Sequence, residues 1–281
     1  MYPAGVFGVR TSTVTLPSGL RLRVLECGPA NGAPVLLIHG WGACAYTYRF
    51  ALQPLGDEGF RAIAFDLRGH GLSDKPVGRG LFTTRALVDD VRDLLDSLRL
   101  ESADIVGHSL GGGAALHFVL AYPTRVRRLA LAAPVGLTKI RLPKIGHLLA
   151  PRFMDRFARY LTPRWLTNVL LRSTYADPRR VTDRDIDEYW APSQFPNYYR
   201  AARALLEEFS WNPLGADDFA RLRCRTLVIL SRADRLIRNA ETAAKRIPRS
   251  ELRCLEAAGH LGIEERPDDF NEALLGFLKS T

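Results

Sequence analysis

The stretch Ala103-Asp-Ile-Val-Gly-His-Ser-Leu-Gly-Gly-Gly-Ala-Ala-Leu116 decides how this chain folds. Its first residues are apolar and predict a buried strand, and its last residues are small and predict a helix. Between them lies a G-x-S-x-G elbow centred on Ser109, in the strand, turn and helix setting that this motif requires. A serine in a strained turn needs neighbours without Cβ atoms, which Gly107 and Gly111 supply. Because the helix start also directs amide donors toward it, Ser109 is predicted to be a nucleophile.

Alternating strand and helix patterns surround this elbow. Residues 11–16 and 21–26 flank a Pro-Ser-Gly turn and predict a hairpin. The clearest helix patterns cover residues 84–98, with Thr83 as N-cap, and residues 268–278. Short runs that are apolar on both faces, typical of central parallel strands, recur at residues 35–38, 62–65, 104–106, 129–131 and 227–230. We therefore expect an α/β fold with a mostly parallel, doubly wound sheet and a ligand crevice at the carboxyl ends of its strands.

One long segment interrupts this alternation. Residues 135–213 contain no buried-strand pattern and are rich in arginine, aromatic residues and helical spacing. The pattern predicts a core domain of residues 1–134 and 214–281, with residues 135–213 inserted as a helical cap. Trp190, Tyr198 and Trp211 of this insertion are candidate substrate-binding residues, since aromatic side chains often line apolar pockets. Most aromatic residues in helical segments belong to a core instead.

A nucleophilic serine requires a base that is itself oriented by a third group. Of the six histidines, His260 stands apart because it lies after a strand-like stretch and just before the last helix. In this class of elbow the acid lies between the serine and the histidine in chain order. Asp234 follows the carboxyl end of the strand at residues 227–230, whereas Asp217 and Asp218 precede that strand. We expect Ser109, Asp234 and His260 to form a catalytic triad.

An oxyanion hole needs two backbone donors. The amide of Leu110 follows the nucleophile directly, and the amide of Trp41 lies in the loop after the strand at residues 35–38. Both are predicted donors. His39, in the same loop, is interpreted as a hydrogen-bonding brace rather than a catalytic residue.

Composition narrows the function further. The 281 residues are 47% hydrophobic and carry a formal net charge of +9, with the basic residues scattered along the chain. This composition excludes a mainly disordered chain, and no clustered basic patch favours nucleic-acid binding.

Two long uncharged stretches contain Pro, Asn, Gly or His and do not predict membrane spans, so we expect no integral membrane association. With no visible signal peptide and four cysteines without paired spacing, a cytoplasmic protein with reduced thiols is expected.

The motifs together resemble the α/β-hydrolase superfamily. They are His-Gly-Trp at 39–41, Asp-Leu-Arg-Gly-His-Gly-Leu-Ser-Asp at 66–74, Gly-His-Ser-Leu-Gly-Gly at 107–112, Asp234, and Gly-His at 259–260. The resemblance covers nearly the whole chain outside residues 135–213, the place where that family carries a cap. It implies a Ser-His-Asp hydrolase with no metal or organic cofactor, in which residues 66–74 brace their loop.

The resemblance also ranks the reactions. A serine nucleophile is unlike the aspartate of haloalkane dehalogenases and epoxide hydrolases, and His-Ser-Leu differs from the Asn-Ser-Met typical of meta-cleavage C–C hydrolases. The leading hypothesis is a carboxylic ester hydrolase whose partner is a small-molecule ester with a small to medium apolar acyl group. The alternatives are C–C or amide hydrolysis or hydroxynitrile cleavage by the same triad, and a ligand receptor without catalysis. The natural ester and the oligomeric state stay open.

Overall fold

The structure, a computed structural model, describes residues 1–140 and 163–280. Its strands form one eight-stranded sheet. They are β1 (Val9–Thr15), β2 (Arg21–Cys27), β3 (Ala33–Ile38), β4 (Phe60–Phe65), β5 (Ala103–His108), β6 (Val126–Ala132), β7 (Arg225–Ser231) and β8 (Ser250–Leu255).

Helices alternate with these strands. The α-helices of the described residues are α1 (Arg49–Asp57), α2 (Thr84–Ser97), α3 (Leu110–Ala121), α4 (Arg164–Ser173), α5 (Asp183–Trp190), α6 (Tyr198–Glu208), α7 (Ala216–Ala220), α8 (Ala240–Ala244), α9 (Gly262–Glu265) and α10 (Pro267–Lys279). The predicted N-cap of α2 is confirmed, since the Thr83 hydroxyl accepts a hydrogen bond from the Ala86 amide.

The predicted sheet is also confirmed. Its strand order is β1-β2-β4-β3-β5-β6-β7-β8. β1 and β2 form the expected antiparallel hairpin, β2 pairs antiparallel with β4, and every pairing from β4 to β8 is parallel. The carboxyl ends of the central strands therefore meet at one edge, where β5 leads into the elbow.

The hydrophobic core lies on both faces of this sheet, because successive residues of a strand point to opposite sides. In β3, Leu36 and Ile38 belong to the cluster that includes apolar residues of α2 and α3. Val35 and Leu37 belong to the other cluster, with residues of α1 and α10. Runs that are apolar at every position follow from this two-sided burial.

Between β6 and β7 the described residues form helices and turns but no strand. α4, α5 and α6 lie here, and Ala201 and Leu205 of α6 pack into the main core cluster. Residues 141–162 of the predicted cap, and residue 281, lie outside the described residues. The division into a core and a cap domain stays a prediction. Within residues 1–140 and 163–280, no helix is long and apolar enough to span a membrane.

Candidate active site

The elbow has the strained geometry that its sequence predicts. Ser109 lies between β5 and α3 with φ of 52° and ψ of −117°, a left-handed conformation rare for a residue with a side chain. A Cβ atom on Gly107 would lie 2.5 Å from the Gly111 carbonyl oxygen, and one on Gly111 would lie 2.1 Å from the Ile38 oxygen. Such distances are far inside van der Waals contact, so both positions require glycine.

The structure brings the three predicted triad residues together. The Ser109 Oγ lies 3.0 Å from His260 Nε2, and His260 Nδ1 lies 2.9 Å from Asp234 Oδ2. His260 and Asp234 are each 8% exposed. They come from the loops that follow β8 and β7, two neighbouring parallel strands, so one edge of the sheet presents all three groups.

Hydrogen bonds keep Asp234 ionised. Burial by itself raises the pKa of this carboxyl, but the hydrogen bond and charge of His260, with the amides of Ile237 and Leu236, outweigh burial and hold the pKa below its usual value. An ionised Asp234 accepts a hydrogen bond from the Nδ1–H group of His260, so the proton stays on Nδ1 and Nε2 is the acceptor that faces the serine.

The loop that carries Trp41 runs directly beside the nucleophile. A Cβ atom on Gly40 would lie 3.1 Å from the Cβ of Ser109. The Trp41 indole Nε1 donates to the Ala202 carbonyl oxygen of α6 at 2.9 Å, and the Gly42 amide donates to His70 Nε2 at 3.0 Å. Leu110 is the first residue of α3, where amides have no partner within the helix. The oxyanion roles of Trp41 and Leu110 stay predictions.

Three other histidines support this loop and the elbow without being charged. Burial lowers the pKa of His39 to about 4, and lowers the pKa of His70 and of His108 to about 3. His39 Nε2 accepts from the Leu67 amide at 2.9 Å, in agreement with its interpretation as a brace. His108 Nε2 donates to the carbonyl oxygen of His260 at 2.9 Å.

The three candidate substrate-binding aromatics occupy different settings. Tyr198 is buried at the start of α6, with its ring centroid 6.2 Å from that of His70. Trp211 packs against the main core cluster and donates its indole N–H to the Leu205 carbonyl oxygen at 3.2 Å. Trp190 is half-buried at the end of α5. A substrate-binding role for each stays a prediction.

Sequence reasoning missed two buried carboxylates close to the base. Glu264 and Glu265 end α9, four and five residues after His260, and are 6% and 0% exposed. Glu264 accepts from Arg49 Nη1 at 2.5 Å and from the Tyr175 hydroxyl at 3.1 Å. Adjacent glutamates in a short helix usually face solvent, so the sequence pattern predicts that both are exposed. Their closeness to His260 in the chain was the only feature of the sequence that pointed to them.

The match to a known family extends over most of this architecture. Residues 35–273 match the model of the alpha/beta hydrolase family. The chain belongs to that family. The predicted resemblance is thereby confirmed, and the chain is an enzyme of the hydrolase class.

Several members resemble this alpha/beta hydrolase over nearly its full length. It is 28% identical to a non-heme chloroperoxidase of Streptomyces lividans, covering 95% of this chain and 99% of that protein. It is 29% identical to 2-hydroxy-6-oxononadienedioate/2-hydroxy-6-oxononatrienedioate hydrolase of Comamonas testosteroni, covering 93% and 92%. A solved meta-cleavage product hydrolase from Pseudomonas fluorescens superposes with a TM-score of 0.80 at 26% identity, over 95% of this chain and 97% of that one.

The described part of this hydrolase holds no group of three or more His, Cys, Asp or Glu side chains arranged to bind a metal ion.

Proposed function

We propose that this alpha/beta hydrolase cleaves carboxylic esters with small to medium apolar acyl groups through an acyl-enzyme on Ser109. The observation that carries the proposal is the continuous hydrogen-bonded chain from Ser109 through His260 to Asp234, with distances of 3.0 Å and 2.9 Å. Such a chain activates a hydroxyl for attack on an acyl carbonyl.

The geometry supports a two-step reaction. The Ser109 Oγ attacks the ester carbonyl while His260 Nε2 takes the hydroxyl proton, and Asp234 stabilises the imidazolium through Nδ1–H. The amides of Trp41 and Leu110 hold the oxyanion. His260 then gives its proton to the departing alkoxide, which leaves as the alcohol. Water repeats the cycle on the acyl-enzyme, releasing the acid and restoring the serine.

The acyl-chain length of the substrate tests the proposal directly. We infer that the predicted cap encloses the site, and enclosed small-molecule pockets, typically about 300–1,000 Å³, accommodate acyl groups of roughly two to eight carbons better than long chains. We expect butyrate and octanoate p-nitrophenyl esters to be hydrolysed faster than palmitate, with no jump in rate above the micelle concentration. Ser109→Ala removes only the hydroxyl and should abolish turnover in a folded chain. A preference for palmitate with interfacial activation would instead indicate a lipase.

C–C bond hydrolysis is the second candidate, because the relatives named above include hydrolases of meta-cleavage products. Both reactions use the same serine, histidine and aspartate, so the site alone does not separate them. A parallel assay on 2-hydroxy-6-oxononadienedioate, with the same enzyme preparation, does so. We expect kcat/KM for the butyrate ester to exceed that for the dienedioate, and the opposite order would favour C–C hydrolysis.

A further inference from the structure

We propose that Glu265 is a positioning residue for the base, because its carboxylate fixes the loop of His260 against residues 174–177. The inference rests on the proposed function, in which His260 takes the serine proton. Glu265 has no exposed surface and ends the short helix α9, five residues after His260. Its influence on the reaction runs through the backbone of that loop.

The Glu265 carboxylate accepts hydrogen bonds from three backbone amides that belong to two separate segments. Oε2 of Glu265 accepts from the Gly259 amide at 2.7 Å and from the Ala176 amide at 3.0 Å. Oε1 accepts from the Asp177 amide at 2.6 Å. Gly259 is the neighbour of His260, whereas Ala176 and Asp177 belong to the predicted cap. The carboxylate therefore sets the distance between these two segments.

The backbone of His260 is itself hydrogen-bonded to residues 174–177. The amide of His260 donates to the Thr174 carbonyl oxygen at 2.7 Å. A Cβ atom on Gly259 would lie 2.3 Å from that oxygen and 2.7 Å from the Ala176 amide nitrogen. The two backbones are thus in direct contact, with no side chain between them to absorb a shift. A displacement of residues 174–177 is transmitted to His260.

The neighbouring carboxylate has a different task. Glu264 accepts from the side chains of Arg49, Tyr175 and Tyr189, and so anchors α9 to α1 and α5. Glu265 accepts from backbone amides instead. Glu264 holds the helix in place, and Glu265 uses that fixed helix to align the loop of the base.

A glutamine at this position tests the role with little change in size. Its NH2 group replaces one oxygen that faces N–H donors, so at least one of the three hydrogen bonds is lost and the loop relaxes. A displacement of about 1 Å between reacting groups can cost roughly 10²-fold in rate. We expect Glu265→Gln to slow proton transfer from Ser109 to His260 by roughly tenfold to hundredfold.

The measurement is the rate at which a fluorophosphonate labels Ser109, followed by intact mass spectrometry. In this reaction a bond forms between Oγ and phosphorus, the P–F bond breaks, fluoride leaves, and the hydroxyl proton passes to His260. It requires the base but not a particular ester. A positioning role predicts slower labelling that still reaches one label per chain, whereas damage to the fold predicts incomplete labelling at the normal rate.

Glu208→Gln is the matched control. Glu208 also joins α6 to a loop by accepting from two backbone amides, those of Gly80 at 3.1 Å and Phe82 at 2.8 Å, neither of which belongs to the loop of His260. We expect this variant to label at the wild-type rate. If Glu265→Gln does not fold, Glu265→Asp replaces it; the shorter side chain reaches fewer amides, and slower labelling to full stoichiometry is again expected.

Two results overturn the inference in distinguishable ways. In the first, the wild-type chain labels at Ser109, and the Glu265 variants either label at the same rate or differ only in an incomplete endpoint. That result leaves the proposed function intact and removes the positioning role. A wild-type chain that does not label at Ser109 overturns the proposed function, and the inference with it.

Discussion

At the scale of single residues, the Asp234 carboxylate divides its two oxygens between two tasks. Oδ2 lies 2.9 Å from His260 Nδ1, and Oδ1 accepts from the amides of Leu236 and Ile237 at 2.7 Å and 3.0 Å. One oxygen therefore orients the base while the other is held by the turn that follows β7. This division allows the catalytic role to be separated from the structural one.

Asp234→Asn should lower kcat by up to roughly 10⁴-fold while the chain stays folded. The asparagine oxygen still accepts from Leu236 and Ile237, but its NH2 group faces His260 and favours the tautomer that cannot accept the serine proton. Ester hydrolysis measures the loss, and thermal unfolding checks the fold. Asp217→Asn, which changes an exposed aspartate before the start of β7, is the control and should keep wild-type activity. Near-normal activity in Asp234→Asn would place the acid elsewhere.

At the scale of elements, the junction of β5 and α3 is pressed against the end of β3. A Cβ atom on Gly111 would lie 2.1 Å from the Ile38 oxygen and 2.5 Å from the His39 oxygen. Both acceptors are backbone atoms next to the loop of Trp41, so the added methyl group displaces that loop. Helix, strand and loop are thereby fixed by one glycine.

Gly111→Ala should reduce kcat/KM by at least about tenfold and destabilise the fold by roughly 1–3 kcal/mol. The same substitution at Gly276 in α10 meets nothing within 4 Å, and should stabilise the protein by about 0.5–1 kcal/mol through helix propensity. Urea unfolding and ester hydrolysis on both variants measure the contrast. Equal behaviour of the two alanine variants would show that the elbow does not abut β3.

The elements themselves could largely be predicted from the sequence. Two-sided burial makes β3 to β7 visible as apolar runs, and the 3.6-residue period with a threonine cap makes α2 visible. The buried acids of α9 could not be predicted, because Glu264 and Glu265 become buried only through partners such as Arg49 and Ala176, far away in the chain. Local patterns carry no information about such distant contacts.

At the scale of the whole molecule, buried charge joins the segment between β6 and β7 to the rest of the fold. Arg49 of α1 donates to Asp185 of α5 at 2.8 Å and to Glu264 at 2.5 Å, with its side chain 9% exposed. Removing one partner of such a pair leaves the other charge buried without a partner, which lowers the free energy of unfolding by about 3–5 kcal/mol. Arg49→Met should therefore lower Tm by several degrees, whereas Arg85→Met, which removes an exposed pair with Asp89, should change it little. Equal shifts in Tm for the two variants would mean that the buried ion pairs do not hold this segment in place.

Folding stability should fall steeply as the solution becomes mildly acidic. The unfolded chain protonates histidines near pH 6.5, but burial lowers the pKa of His39 to about 4 and the pKa of His70 and His108 to about 3. Between these values the unfolded state binds more protons, so stability that is present above pH 6.5 is lost toward pH 4. The three groups together contribute a loss on the order of 3 kcal/mol between pH 6 and pH 5.

Other buried groups modify this slope. His117, whose pKa burial also lowers, adds to the loss. Asp90 and Asp104, whose pKa burial raises, act in the opposite direction and offset part of it. Urea unfolding at pH 7, 6 and 5 gives the slope. His70→Gln should reduce the histidine contribution by about a third, because the amide oxygen of glutamine can still accept from Gly42 but does not titrate. A slope that stays the same in this variant would mean that His70 already binds its proton in the folded chain.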